Sequence, residues 1–294
     1  MYFLENDFIK LDISSLGAEI KSIFHKDSNI NILYKGDTPY WNRSSPVLFP
    51  IVGKLKQNTY LYKNKEYVLS QHGFARDLEF SVIEKKVDEI IFELKSSSKT
   101  LEIYPFDFVL HIKYQLIDKQ IVVQYKISNP SKEQMYFSIG AHPAFQIPIS
   151  KEETFSDYYL EFPQDEYLKR YFINKNSGLF FGKSEQIKLN NHLLDLHYAL
   201  FEEDALVIKK LKSTKILLKS KKNQYHLEFD RGNLEFLGLW TKKDAPFICI
   251  EPWEGLADSE NHNQDFTLKE GIISLNPLEG KRFNFSFTIY PTSK

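Results

Sequence analysis

Cysteine is almost absent from this sequence, since Cys249 is the only one among 294 residues. A single cysteine cannot close an intrachain disulfide and cannot build a cysteine-based metal cluster. Its neighbours in Phe-Ile-Cys-Ile are apolar, which indicates a small buried side chain. The histidines lack the H-x-H and H-E-x-x-H spacings of metal sites, so we predict no bound metal.

Long apolar stretches and a strong net charge are also missing. No apolar run approaches the roughly 18 residues that cross a membrane, and residues 1–7 lack the basic and apolar regions of a secretory signal. A formal net charge of −1 argues against a general nucleic-acid binder, which would carry a basic face. We therefore expect a cytoplasmic protein with neither a membrane nor a nucleic acid as its partner.

The short motifs that hold nucleotides or a catalytic serine are absent as well. The 12 glycines form neither a phosphate-binding loop nor a dinucleotide fingerprint. The chain also contains no G-x-S-x-G elbow. No sequence signature of a nucleotide-dependent enzyme or a serine hydrolase is present, and we expect no cofactor.

What the sequence has in abundance is alternation of apolar and polar residues with a period of two. Alternating residues in 106–116 and 121–127 flank a polar turn and predict a β-hairpin. Residues 8–13 and 19–24 predict another hairpin near the start of the chain. Similar runs, which predict further strands, cover residues 79–83, 89–95, 158–162, 215–219, 225–229, 234–241 and 282–290.

Helical periodicity is scarce. Residues 191–201 are the best helix candidate, because their leucines approximate one face behind a possible cap at Asn191. Aromatic residues make up 15% of the chain, which favours strands. Many short strands without alternating helices predict an all-β fold of two large packed antiparallel sheets with few short helices. We expect a single domain over residues 1–294.

A histidine and a glutamate stand out as candidates for acid–base chemistry. His142 ends an apolar run and precedes Pro143, which restricts the local backbone. Glu251 follows the apolar run 247–250, where desolvation would raise its pKa toward the range of a general base. The plainer interpretations are a structural histidine at position 142 and a loop acid, which would suit Glu254 better than Glu251.

A second histidine lies upstream with an arginine close behind it. The glycine after His72 permits an unusual turn, and Arg76 could present its planar guanidinium to hydroxyls or to a phosphate. The alternative is an ordinary β-turn in which Arg76 pairs with Asp77 or Glu79. Both interpretations stay open from the sequence.

Two tryptophans flank the candidate carboxylate. Trp240 lies on the preceding predicted strand and Trp253 lies two residues after Glu251, and either offers a flat apolar face for a sugar ring. Two imidazoles, one carboxylate and such a face suit proton transfer on a sugar. A retaining glycosidase would instead need two carboxylates about 5 Å apart, and Glu251 with Glu254 is a less simple explanation than a histidine–glutamate pair.

Four short segments match the motifs of one known family in their order along the chain. They are LFPIVGK at 48–54, QHGFAR at 71–76, AHPAF at 141–145 and IEPWEG at 250–255. Together they resemble the aldose 1-epimerase (galactose mutarotase-like) family, in the wording of its LacX-like branch. Each motif is short, but four of them in register are specific.

The resemblance implies a β-supersandwich fold and a role for each matching residue. By resemblance, His142 is the general acid toward the ring oxygen, Glu251 the general base on the anomeric hydroxyl, and His72 a residue that orients the sugar. The family often has an arginine in the preceding loop, where Lys54 and Arg43 are the nearby cations here and neither matches exactly. The sugar-binding aspartate of galactose mutarotases has no clear counterpart in this sequence.

The sequence thus predicts an enzyme that interconverts the α and β anomers of a free hexose. A close variant is a hexose-phosphate mutarotase in which Arg76 and a lysine such as Lys54 bind the phosphate. A non-catalytic sugar-binding or sensing protein and a polysaccharide-active enzyme on a related fold are the other hypotheses. A matched acid and base at His142 and Glu251 favours the enzyme, because a lectin needs neither.

Overall fold

The computed structural model describes residues 1–37 and 39–290 and is almost entirely β structure. Within those residues there are 25 strands, one α-helix of six residues and five short 3-10 helices. The predicted all-β fold with few short helices is confirmed. No helix in these two ranges combines the length and the apolar content needed to span a bilayer.

The larger sheet has nine antiparallel strands. They are β8 (Ser81–Lys85), β9 (Glu89–Lys95), β10 (Val109–Ile117), β11 (Gln120–Ser128), β15 (Tyr158–Glu161), β18 (Leu193–Asp195), β20 (Lys215–Ser220), β21 (His226–Asp230) and β25 (Gly280–Tyr290). Their order is β18-β15-β20-β21-β25-β11-β10-β9-β8. Strands β10 and β11 are the predicted long hairpin, and every second residue from Leu110 to Leu116 is buried, as the alternation requires.

The second large sheet has eight strands. They are β5 (Val47–Leu48), β13 (Ile139–Ala141), β14 (Ala144–Gln146), β16 (Tyr167–Ile173), β17 (Phe180–Lys188), β19 (Leu206–Ile208), β22 (Phe236–Trp240) and β23 (Phe247–Glu254). Their order is β17-β16-β19-β22-β23-β13-β5, with β14 paired to β23 beside β13. Strand β23 therefore lies at the centre of this sheet and pairs with three others.

Smaller elements surround the two large sheets. A four-stranded sheet contains the predicted opening hairpin and consists of β1 (Tyr2–Glu5), β2 (Ile9–Ile13), β3 (Ile20–His25) and β4 (Ile30–Asn31). Two-stranded pairs join β6 (Thr59–Tyr62) to β7 (Lys65–Val68) and β12 (Met135–Phe137) to β24 (Ile273–Leu275). The α-helix α1 spans Ser98–Ile103, and the 3-10 helices span Lys56–Asn58, Ala75–Asp77, Phe155–Asp157, Tyr198–Phe201 and Phe266–Leu268.

The predicted helix over residues 191–201 is wrong. Asn191 has a positive φ of 50° and His192 one of 68°, which no α-helix tolerates, and strand β18 follows at once. Leu194 and Leu196 are buried on either side of exposed Asp195, so the leucines follow the strand period rather than the helical one. Pairing with β15 stabilises this extended conformation, and only a 3-10 turn at Tyr198–Phe201 is helical.

The core lies between the two large sheets, and the eight-stranded sheet has a second face directed away from it. Ile248 and Ile250 of β23 belong to the same buried cluster as Leu110 of β10 and Phe285 of β25. Because side chains alternate along a strand, the residues between them, Cys249, Glu251 and Trp253, lie on the opposite face. That face, which we call the outer face, carries the candidate site.

Candidate active site

A cavity of about 310 Å³ opens on the outer face of the eight-stranded sheet. This volume is at the lower end of the range for small-molecule sites. Six of the eight residues that the sequence proposed line it, and they come from four separate stretches of the chain: His72, Arg76, His142, Trp240, Glu251 and Trp253.

His142 directly follows β13, and its backbone N–H donates to the Pro46 carbonyl at 3.1 Å. Its ring lies under the indole of Trp41, with 4.6 Å between ring centroids, and the edge of Trp240 stands 5.6 Å away. Burial lowers the pKa of His142 to about 3, and the charges of Arg76 and Arg43 act in the same direction. The imidazole is therefore neutral at ordinary pH.

Glu251 lies inside β23, which continues past the apolar run 247–250 to Glu254. Its cross-strand partner on β22 is Gly238, and the indole of Trp253 packs against the backbone of that glycine. Glu251 is 1% exposed, and burial, together with the charge of Asp204, raises its pKa well above the usual range. Its Oε2 atom lies 3.1 Å from Nε2 of His142 without the alignment of a hydrogen bond.

His72 occupies a left-handed turn, with φ of 65° at His72 and 70° at Gly73. The backbone N–H of Gly53 donates to Nδ1 of His72 at 3.1 Å, which fixes the tautomer and leaves Nε2 as a donor. Burial, and next the neighbouring His142, hold the pKa of His72 well below its usual value, so this imidazole is also neutral.

The turn at His72 depends on the glycine that follows it. A Cβ on Gly73 would lie 2.3 Å from the carbonyl oxygen of Phe49, a distance that real side chains do not adopt. Gly182 has a similar positive φ of 84° but nothing within 4 Å of the corresponding position, so it provides a matched control.

We expect Gly73→Ala to lower the free energy of unfolding by more than ~2 kcal/mol, because strain at positive φ adds to a backbone clash. Gly182→Ala should cost only about 1 kcal/mol, since it carries the strain without the clash. Urea unfolding of the two variants measures the difference. Equal losses would show that the close approach to Phe49 contributes nothing.

Arg76 lies in the 3-10 helix Ala75–Asp77, and its side chain reaches the cavity. Its Nη2 donates to the Gln71 carbonyl at 2.7 Å, and Nε is buried without a hydrogen-bond partner, 3.8 Å from Asp77 Oδ2. The plainer interpretation, a pair with Asp77, is thus present in weak form. The stronger partner of Asp77 is Arg43, at 2.5 Å.

Arg43 and Lys54, the other two residues proposed from the sequence, are not among the residues that line the cavity. Arg43 is held by Asp77 and by the Arg76 carbonyl, at 3.4 Å from its Nη1. The Lys54 side chain packs along Gly178, where an added Cβ would lie 2.9 Å from the lysine Cδ. Both cations thus contact residues that line the cavity, Arg76 and Gly178, and motif spacing could not reveal these contacts.

Among the ten lining residues that the sequence interpretation did not propose, three bear directly on the chemistry. Trp41 covers His142, Lys242 donates from Nζ to the Tyr40 carbonyl at 2.7 Å, and Asp204 brings a second carboxylate to the wall. Asp204 has a positive φ of 65°, and its Oδ1 accepts the Ala205 N–H at 2.7 Å. All three lie in loops with no recognisable motif around them. The one available signal was that tryptophan is rare in this chain, which could have drawn attention to Trp41.

The site also contains a group of residues of metal-ligating type. Ligand atoms of His142, Cys249 and Glu251 lie within 4.8 Å of one another, and all three residues are buried. The sequence gave no sign of this group because its members come from β23 and from the segment after β13. Burial raises the pKa of the Cys249 thiol well above its usual value, so the thiol is protonated.

Comparisons with known proteins identify the family of this chain. The sequence profile of the family Aldose 1-epimerase matches residues 1–271. The chain belongs to the aldose 1-epimerase family. Within this family it is 32% identical to the plasmid-encoded protein LacX of Lactococcus lactis subsp. lactis, an alignment that covers 97% of this chain and 98% of the relative.

Two solved structures share the fold of this chain. A galactose mutarotase related enzyme from Lactobacillus acidophilus superimposes with a TM-score of 0.94 at 32% identity, covering 99% of this chain and 98% of that one. A galactose mutarotase-like protein from Lactobacillus casei gives 0.92 at 30% identity, covering 99% and 100%. The galactose mutarotase-like fold expected from the four motifs is therefore confirmed.

Proposed function

We propose that this protein is an aldose 1-epimerase that interconverts the α and β anomers of a free hexose. The observation that carries the proposal is the pair His142 and Glu251, whose Nε2 and Oε2 atoms lie 3.1 Å apart on the wall of a closed-in cavity. Opening a hemiacetal ring requires one group that takes a proton from the C1 hydroxyl and another that gives a proton to the ring oxygen. Both groups are present and both are desolvated.

The pair performs this chemistry with a single shared proton. With the proton on His142, Glu251 accepts the O1 proton, the C1–O5 bond breaks, C1=O1 forms and His142 protonates O5. The pair is then uncharged, with neutral His142 and protonated Glu251, which is the state that burial favours. Rotation about C1–C2 and the reverse transfers close the ring on its other face.

The remaining wall residues hold the sugar in place. His72, through its Nε2 donor, and Arg76, through its guanidinium, line the cavity and can donate to sugar hydroxyls, while Asp204 can accept from a hydroxyl. Trp41 and Trp240, whose rings meet edge to face with 5.7 Å between centroids, supply an apolar surface for the C–H face of the ring.

The cations of the wall favour a free hexose over a hexose phosphate. Arg76 already donates to the Gln71 carbonyl and Lys242 to the Tyr40 carbonyl, and Asp204 adds negative charge. A phosphate site usually gathers several charge-assisted donors, whereas the described wall offers few that are not already engaged. The buried, unpartnered Nε of Arg76 is the one feature that would suit a phosphate.

Saturation-transfer NMR on glucose, galactose and their 6-phosphates tests the proposal. We expect anomer exchange above the spontaneous rate on a free hexose, and slower exchange on each phosphate. Binding without exchange on every sugar would support a sensor instead. Faster exchange on the phosphates would support the hexose-phosphate variant.

A further inference from the structure

Trp253 lies on the outer face beside Glu251, two residues further along β23. Its indole packs directly on the backbone of two glycines. A Cβ added to Gly140 would lie 2.8 Å from Cδ1 of Trp253, and a Cβ added to Gly238 would lie 2.5 Å from its Cη2. Gly238 is also the cross-strand partner of Glu251, so the indole extends alongside the carboxylate. Trp253 is 5% exposed and cannot turn without displacing a neighbouring strand.

Two complementary polar atoms are left without partners in this region. Nε1 of Trp253 is a buried donor without an acceptor, and Oε2 of Glu251 is a buried acceptor without an aligned donor. Buried polar atoms are nearly always satisfied in proteins, so an unpaired donor and an unpaired acceptor on neighbouring residues of one strand face require an explanation. The indole N–H acts to lower the pKa of Glu251, against the larger effect of burial.

We propose that Trp253 is a positioning residue whose indole N–H donates to the carboxylate of Glu251 when that group is ionised during ring opening. The inference rests on the proposed acid–base function. In this role Trp253 acts through its N–H. It is not the stacking surface for the sugar ring that the sequence suggested, because Trp41 and Trp240 supply that surface.

The charges around Glu251 show why such a donor matters. His142 provides the opposite charge for part of the cycle only, and Asp204 repels the ionised carboxylate. The other titratable or charged groups on the wall or beside it are His72, Arg76, Lys242 and, on the same strand, Cys249. A neutral N–H fixed by packing stabilises the anion without adding a titrating charge of its own.

Trp253→Phe tests the proposal because it removes the N–H and keeps an aromatic ring on the two glycines. We expect kcat to fall by roughly 10-fold or more with little change in KM. We also expect the alkaline limb of the pH–rate profile to move to higher pH, because Glu251 releases its proton less readily without the donor. Trp240→Phe also removes an indole N–H from the wall and should leave that limb in place, whatever it does to the rate.

Two further measurements test the role of Trp253 even if the protein turns over no sugar, and they separate loss of the N–H from a folding defect. The infrared carboxyl band of Glu251, identified by its loss in Glu251→Gln, should titrate at higher pH in Trp253→Phe even if no sugar is turned over. Replacing Trp253 with benzothienylalanine keeps the bicyclic shape, exchanges N–H for sulfur and should reproduce the shift. An unmoved band and an unmoved alkaline limb in both variants would overturn the proposal.

Discussion

The Glu251→Gln variant is expected to lose anomer exchange by a factor of roughly 10²–10⁴ while it keeps much of its hexose affinity. The amide retains the shape of the side chain but cannot accept the O1 proton. The variant also leaves His142 without a partner that exchanges protons, so both halves of the cycle stop. Saturation-transfer NMR gives the rate, and calorimetric titration with the hexose gives the affinity.

Glu254→Gln is the matched control. Glu254 ends the same strand, and its Oε2 accepts the backbone N–H of Glu235 at 3.0 Å, outside the cavity wall. Its amide should keep the wild-type exchange rate within about threefold. Full activity in Glu251→Gln, or an equal loss in Glu254→Gln, would show that Glu251 is not the base.

Glu251→Gln should also change how stability depends on pH. Observing that change shows that the inactive variant is folded. Because the folded-state pKa of Glu251 is raised above 4.5, the folded protein holds a proton that the unfolded chain releases, and stability falls as pH rises above 4.5. Glutamine does not titrate, so that part of the pH dependence should disappear. Urea unfolding at pH 5 and pH 8 should show a smaller decrease in the variant than in the wild type.

His142→Asn should lower the exchange rate by at least roughly 10². Asparagine cannot shuttle a proton to and from the ring oxygen, although it keeps a polar group on the wall. Because Trp41 also loses the ring against which it packs, KM should rise more than it does in Glu251→Gln. Rates and KM values from progress curves of anomer exchange separate the two effects.

His197→Asn serves as the control for this substitution. His197 is exposed and outside the cavity, and its side chain makes no capping hydrogen bond to the 3-10 helix Tyr198–Phe201. Its exchange rate should equal that of the wild type. If His142→Asn were as active as His197→Asn, another group would have to protonate the ring oxygen.

Alternation was enough to predict the strands that bury one face, such as β10 and β11, because solvent and core impose the period of two directly. It failed at residues 191–201, where leucines at adjacent positions fit both a helix and a strand with its flanking turns. The positive φ values at Asn191 and His192 decide between them, and no local pattern marked these residues as left-handed.

The candidate site was predictable where a residue lies within a motif on or next to a strand, as with His142 and Glu251. It was not predictable where tertiary packing brings a loop to the cavity, as with Trp41 and Asp204. Proximity in sequence did not show that the side chain of Arg43, which precedes a motif, pairs with Asp77. Which cations reach the wall depends on packing between distant segments.

Strand β23 imposes one constraint on both stability and chemistry. Ile248 and Ile250 fill the core, and Cys249, Glu251 and Trp253 occupy the outer face. Cys249, Glu251 and Trp253 thus face the site, whereas Ile248 and Ile250 pack in the core between the two large sheets. Inserting or deleting a single residue would exchange the two sets of residues, placing a carboxylate among apolar side chains and isoleucines in the cavity. Selection for a folded protein therefore also selects the strand register that places Glu251 opposite His142.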